Sequence, residues 1–148
     1  MKKIASTTLL FALLGTAAAF AAAHDDRAAV MRSNGAATGA LRGQVANFDA
    51  ATVKTQGQVL VDNAAKIKVL FAAGTDTSDP GALPTVWSDA AGFAAAADKF
   101  AADAAKVGAA TDGPSLQAAL MAVNGDCGGC HRTYRAPPAP RPAPPAAQ

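Results

Sequence analysis

Cys127, Cys130 and His131 stand at i, i+3 and i+4 near the C-terminal end of the chain. On an α-helix these three positions share one face, so the group acts as a unit if that segment is helical. The same stripe continues upstream and downstream through Leu116, Leu120, Val123 and Tyr134. Pro114 suits the first turn of such a helix. The rest of the chain favours the same element. It is rich in Ala, poor in aromatic and β-branched residues and has no Glu. High Ala content promotes helix, and the shortage of strand formers argues against a β-sandwich.

Three further helices follow from apolar spacing of three and four residues. The first spans about Asp25 to Phe48, with Arg27, Met31, Asn34, Thr38, Leu41 and Val45 on one face. The second spans about Thr52 to Ala73, aligning Val53, Leu60, Ala64, Ile67 and Phe71. The third runs from about Thr85 to Val107, where Phe93, Phe100 and Val107 recur with Ala97 and Ala104 between them. Gly74 to Pro84 reads as a loop and Thr111-Asp112-Gly113 as a turn. Mostly short connections predict an all-α fold, an antiparallel four-helix bundle. Its many Ala and Gly positions leave a thin core, which a large buried cofactor would fill.

The N-terminus carries a separate message. Basic Lys2-Lys3, an apolar stretch from Ile4 to Phe20 and the small residues Ala21-Ala22-Ala23 are the parts of a secretory signal peptide. Polar Ser6, Thr7, Thr8 and Thr16 dilute the apolar run, and Asp25-Asp26 follow it, so cleavage is expected rather than a membrane anchor. The division is then a signal peptide over 1–23, a four-helix domain over 24–135 and a Pro/Ala-rich tail over 136–148 that lacks the side chains to form a core. The domain and tail together make about 125 residues, the size of one domain. Without Lys2 and Lys3, basic and acidic residues balance. Nothing then points to nucleic acid, and no membrane span is expected after cleavage.

Two cysteines three residues apart close almost no loop, so they cannot staple a fold. Cys-x-x-Cys-His is the signature of c-type haem attachment, in which two thiols meet two vinyl groups and the imidazole meets iron. A thioredoxin-like pair would need a βαβ context. Zinc would need four ligands, and His24 is the one other histidine. Export agrees with haem, because c-type maturation takes place outside the cytoplasm.

An exported four-helix chain with Cys127-Gly128-Gly129-Cys130-His131 on its last helix resembles the class II c-type cytochromes, the cytochrome c prime family. Arg27-x-x-x-Met31, Gly74-Thr75-Asp76, Pro84-x-x-Trp87 and Phe93, and the closing Tyr134-Arg135 are similar to that family's pattern. The resemblance implies one covalent haem c, with thioethers at Cys127 and Cys130 and His131 as proximal ligand. It implies Arg27 beside a propionate, Arg135 over the proximal face and Met31 at the sixth position of the iron. It also implies a periplasmic location and pairing of two copies through the first two helices, where Gly35 and Gly39 would permit close packing.

Two functions stay open. In the favoured one Met31 ligates a low-spin haem that passes electrons between redox partner proteins. In the other Met31 only packs above an open, five-coordinate iron that binds nitric oxide or carbon monoxide. The resemblance covers both kinds, with Met at the matching position in each. No nucleophile–base pair or acid–base dyad suggests an enzyme, and a distal pocket of Met31, Thr38 and Leu41 holds no strong proton donor.

Overall fold

The computed structural model describes residues 9–72, 75 and 79–137, with side chains from residue 23. The start of the signal segment, Gly74 and Asp76 of the central loop, and the tail from residue 138 lie outside the described residues. Among the described residues, five helices follow in order: α1 (Leu9–Gln44), α2 (Ala50–Leu70), α3 (Thr85–Ser88), α4 (Ala90–Gly108) and α5 (Gly113–Tyr134). The four long ones form an antiparallel four-helix bundle. α2 packs on α1 and α4, and α4 packs on α5, whereas α1 and α5 touch sparsely. Among the described residues, no helix is long and apolar enough to cross a membrane.

The helix ends have local causes. Asp49 caps α2 by accepting from the Thr52 amide at 2.7 Å. Asp112 and Ser115 form a reciprocal box at the start of α5, with Pro114 in its first turn. The third predicted helix is divided. Asp89 leaves helical geometry between α3 and α4, and its side chain accepts from the Gly92 amide, so the chain restarts there with a new cap. The first helix is longer than expected. It reaches back to Leu9, since Thr16 to Ala28 contains neither Gly nor Pro to stop it.

The predicted apolar faces point inward. Leu41, Val53, Leu60, Val107, Leu116 and Val123 are fully buried at the centre. α2 and α4 cross closely at Gly57 and Gly108, where a Cβ on Gly57 would lie 2.6 Å from the Gly108 backbone. That approach needs glycine. Gly39, by contrast, is exposed with open space around its Cβ position.

Gly57→Ala should therefore destabilise the protein, by about 1–3 kcal/mol as for other overpacked sites. Gly39→Ala should be neutral or stabilising by up to ~1 kcal/mol through helix propensity. Urea unfolding of the two variants beside the parent checks this, and equal midpoints would refute the close crossing.

Candidate haem site

The sparse α1–α5 side of the bundle is hollow. α5 turns Cys127, Cys130 and His131 toward it, and α1 faces them with Met31. Two adjoining cavities of about 450 and 270 Å³ share Met31, Phe93, Cys130 and His131 in their walls. The larger extends toward Arg27, Phe71, Asp79 and Arg135. The smaller extends toward Asn34, Gly35, Thr38 and Cys127. The spacing of the three motif residues is thus realised as one helical face over a cavity.

Both cysteines are free and half-buried. Burial, then the neighbouring Asp126 charge, pushes the Cys127 thiol up, and burial with the Cys127 charge does so for Cys130. Both are held as thiols, the form that carries the proton needed to add across a vinyl group. For His131, burial and then the Arg135 charge lower the imidazole below its ordinary value. A neutral imidazole is the form that binds iron. Next to the motif, Asp126 receives the Lys99 ammonium, which also reaches Asp103 at 2.8 Å, while Lys106 holds Asp103 from the other side at 2.7 Å. These pairs tie α4 to the start of the attachment segment.

A continuous wall closes the larger cavity. Arg27 is 2% exposed, and its Nη1 donates to Asp79 Oδ2 at 3.0 Å. Its Nε donates to the Leu70 carbonyl at 2.9 Å. The guanidinium lies 4.7 Å from the Phe71 ring centre and 5.6 Å from that of Trp87. Phe71 meets Phe93 at 5.2 Å, and Phe93 meets Tyr134 edge-on at 5.2 Å. Tyr134 Oη donates to Asp89 Oδ2 at 2.8 Å. Gly92 makes room for this pair, because a Cβ there would fall 2.7 Å from the Tyr134 oxygen. The segment after Asp79 grips the end of α5, since the Leu83 amide donates to the Tyr134 carbonyl and Ala82 bridges Arg135.

The structure brings all six expected site residues to the hollow side, five of them around the larger cavity. Arg27 is nevertheless engaged with Asp79, while exposed Arg32 and Arg135 line the same cavity. Leu41 is core and not part of the pocket, at 0% exposure. Asn34 takes its place beside Thr38. Asp79, Asn34 and Arg32 were not predicted. Asp79 sits in a loop with no pattern, and Asn34 reads as an ordinary polar residue until its neighbours are known.

A hollow with apolar walls, two half-buried thiols and a neutral imidazole on one helix face fits a haem. Fold and site together define a c-type haem protein on a four-helix bundle. The family model described as Cytochrome C' matches residues 22–135. The chain is 34% identical to cytochrome c-556 of Agrobacterium fabrum over 140 residues, covering 90% of this chain and 94% of that one. Its fold matches cytochrome c' of Rhodopseudomonas palustris with a TM-score of 0.69 and 32% identity, covering 79% of this chain and 98% of that one. It also matches the nitric oxide complex of a cytochrome c' variant from Alcaligenes xylosoxidans, with a TM-score of 0.68, 30% identity and coverage of 76% and 93%. The chain belongs to the cytochrome c' family, whose cofactor is covalently attached haem c.

The Arg27–Asp79 pair makes a prediction about acid. Burial raises the Asp79 pKa, but Arg27, the Gly81 amide and His24 outweigh it and hold the carboxyl below its ordinary value. A depressed folded-state pKa contributes stability that is present above the unfolded value near ~3.9 and lost as pH falls below it. Asp79→Asn should destabilise the protein at neutral pH by about 1–3 kcal/mol, because it replaces the buried carboxylate that receives Arg27 Nη1 with a neutral amide. It should also flatten the loss of stability below about pH 4. Denaturant titrations at neutral and acid pH read both effects.

Proposed function

We propose that the protein is a periplasmic haem protein in which Cys127 and Cys130 form the two thioethers and His131 is the proximal ligand. The signal segment is removed before His24, and the Pro/Ala tail is an appendage to the haem domain. Bound there, the haem supplies an iron that takes a small ligand or an electron. The chain's own residues orient it: α5 fixes its edge and proximal side, and the Phe71–Phe93–Tyr134 wall excludes water from one end. Arg32 and Arg135 are placed for the propionates, and Arg27 stiffens the wall through Asp79. The protein acts through this group as a carrier or binder and not as an enzyme.

Between the two open functions we favour the five-coordinate, gas-binding one. The observation that carries it is the smaller cavity beside Met31. Gly35 lines it with open space around its Cβ position, so α1 leaves room there for a diatomic ligand. The nitric oxide complex of the Alcaligenes relative supports the same reading. Electron transfer through a Met31-ligated iron is the second reading, favoured by the place of Met31 in the walls of both cavities.

The visible spectrum of the purified protein separates the two. Oxidised protein at neutral pH should be high-spin, and the reduced form should bind carbon monoxide readily. A low-spin spectrum that Met31→Ala converts to high-spin would instead establish Met31 as ligand. Intact mass of the exported protein should equal the chain from His24 plus one haem, resistant to acid-acetone extraction. Cys127→Ala or Cys130→Ala should weaken or abolish that attachment, and haem released freely from the parent protein would refute it.

A further inference from the structure

The smaller cavity is not purely apolar. Asn34 lines it together with Met31, Thr38, both cysteines and His131, and the residue is 9% exposed. Its side-chain oxygen is already used, since Oδ1 accepts from Asn63 Nδ2 at 2.9 Å. Asn63 is itself 3% exposed and also donates to Ser33 Oγ at 2.9 Å, which locks the amide pair between α1 and α2. Among the described residues the Asn34 Nδ2 group makes no hydrogen bond, and it is accessible rather than sealed in the core. Thr38 cannot compete as donor, because its hydroxyl proton is directed back to the Asn34 and Gly35 carbonyls at 2.9 and 3.1 Å. Besides the Arg42–Asn124 pair, the cavity wall therefore holds an Asn34 N–H donor that is oriented by Asn63 and available to a ligand there.

We propose that Asn34 is the hydrogen-bond donor to a diatomic gas held in this cavity, and that Asn63 is the positioning residue that aims it. The inference rests on the five-coordinate reading. A preoriented donor beside the bound ligand discriminates by polarity. It favours nitric oxide and other ligands that gather negative charge when bound at iron over the less polar carbon monoxide. Asn63 acts by holding the Asn34 oxygen, so that the amide cannot turn its donor away.

The test uses the intact haem-loaded protein. Infrared or resonance Raman spectra of the carbon monoxide complex are compared for the parent, Asn34→Leu, Asn34→Asp and Asn63→Leu. Asn34→Leu removes the amide. Asn34→Asp keeps an acceptor for Asn63 and removes the N–H donor, so it serves if Asn34→Leu folds poorly. Loss of the donor should raise the C–O stretching frequency in both Asn34 variants and speed nitric oxide release by about two- to tenfold, the range of one hydrogen bond. Asn63→Leu should broaden the C–O band by freeing the amide. A parent that binds carbon monoxide, with a band that neither Asn34 variant moves, overturns the donor while leaving gas binding intact. A parent that is low-spin and refuses carbon monoxide overturns both.

Discussion

The sparse contact between α1 and α5 is the constraint on which the molecule depends. In a bundle of four helices, each long helix ordinarily packs on two neighbours. Here three of the four sides are closed and the fourth is held open. The closed sides carry the fully buried Leu, Val and Ala residues, and the Gly57–Gly108 crossing brings α2 and α4 nearly to backbone contact. Tight packing on one side lets the other remain a hollow without the helices collapsing across it. The apolar lining of that hollow is surface that the folded chain alone does not remove from water, so a large flat apolar cofactor completes the core as well as the site.

Around the hollow, the polar groups are arranged to stay where they are. The Arg27–Asp79 pair is nearly without solvent, with each side chain under 5% exposed. A pair so placed adds little net stability over apolar packing, but removing either partner is expensive. Its effect is positional. It joins α1 to the loop that grips the end of α5, and through Phe71, Phe93 and Tyr134 it reaches the Asp89 cap between α3 and α4. The break between α3 and α4 thus has a use. In an uninterrupted helix from Thr85 onward the Gly92 amide would bond the Ser88 carbonyl, and would no longer help hold the Asp89 carboxylate that receives the Tyr134 hydroxyl.

The chemistry divides between two helices. α5 presents two half-buried thiols and an imidazole to the hollow, shifted by burial toward neutral thiols and a neutral imidazole. α1 supplies what stands opposite: a flexible thioether at Met31, a polar amide at Asn34 and empty space at Gly35. In the proposed function, the difference between a carrier of electrons and a binder of gas lies in that second set. It turns on whether a fixed helix lets one sulfur reach the metal.

Much of this was legible in the amino-acid order. The helical face of Cys127, Cys130 and His131 follows from spacing on a regular helix, and so do the inward stripes of α2, α4 and α5, because periodicity is a local property of the backbone. The chemistry of the haem motif is equally local. The break at Asp89 was not legible, since Val86 and Phe93 sit at helical spacing on either side of it, and the Asp89 carboxylate is also held by Tyr134, far along the chain. Nor was the pairing of Arg27 with Asp79, the exclusion of Leu41 from the pocket or the orientation of Asn34 by Asn63. Each of these joins residues on different elements, and a charge or amide has no defined partner until packing brings one within about 3 Å. Sequence alone determined which face of each helix turns inward. Only the tertiary structure decided which polar groups on those faces satisfy one another and which are left facing the cavity, because hydrogen bonds between helices are set by distance in space and not along the chain.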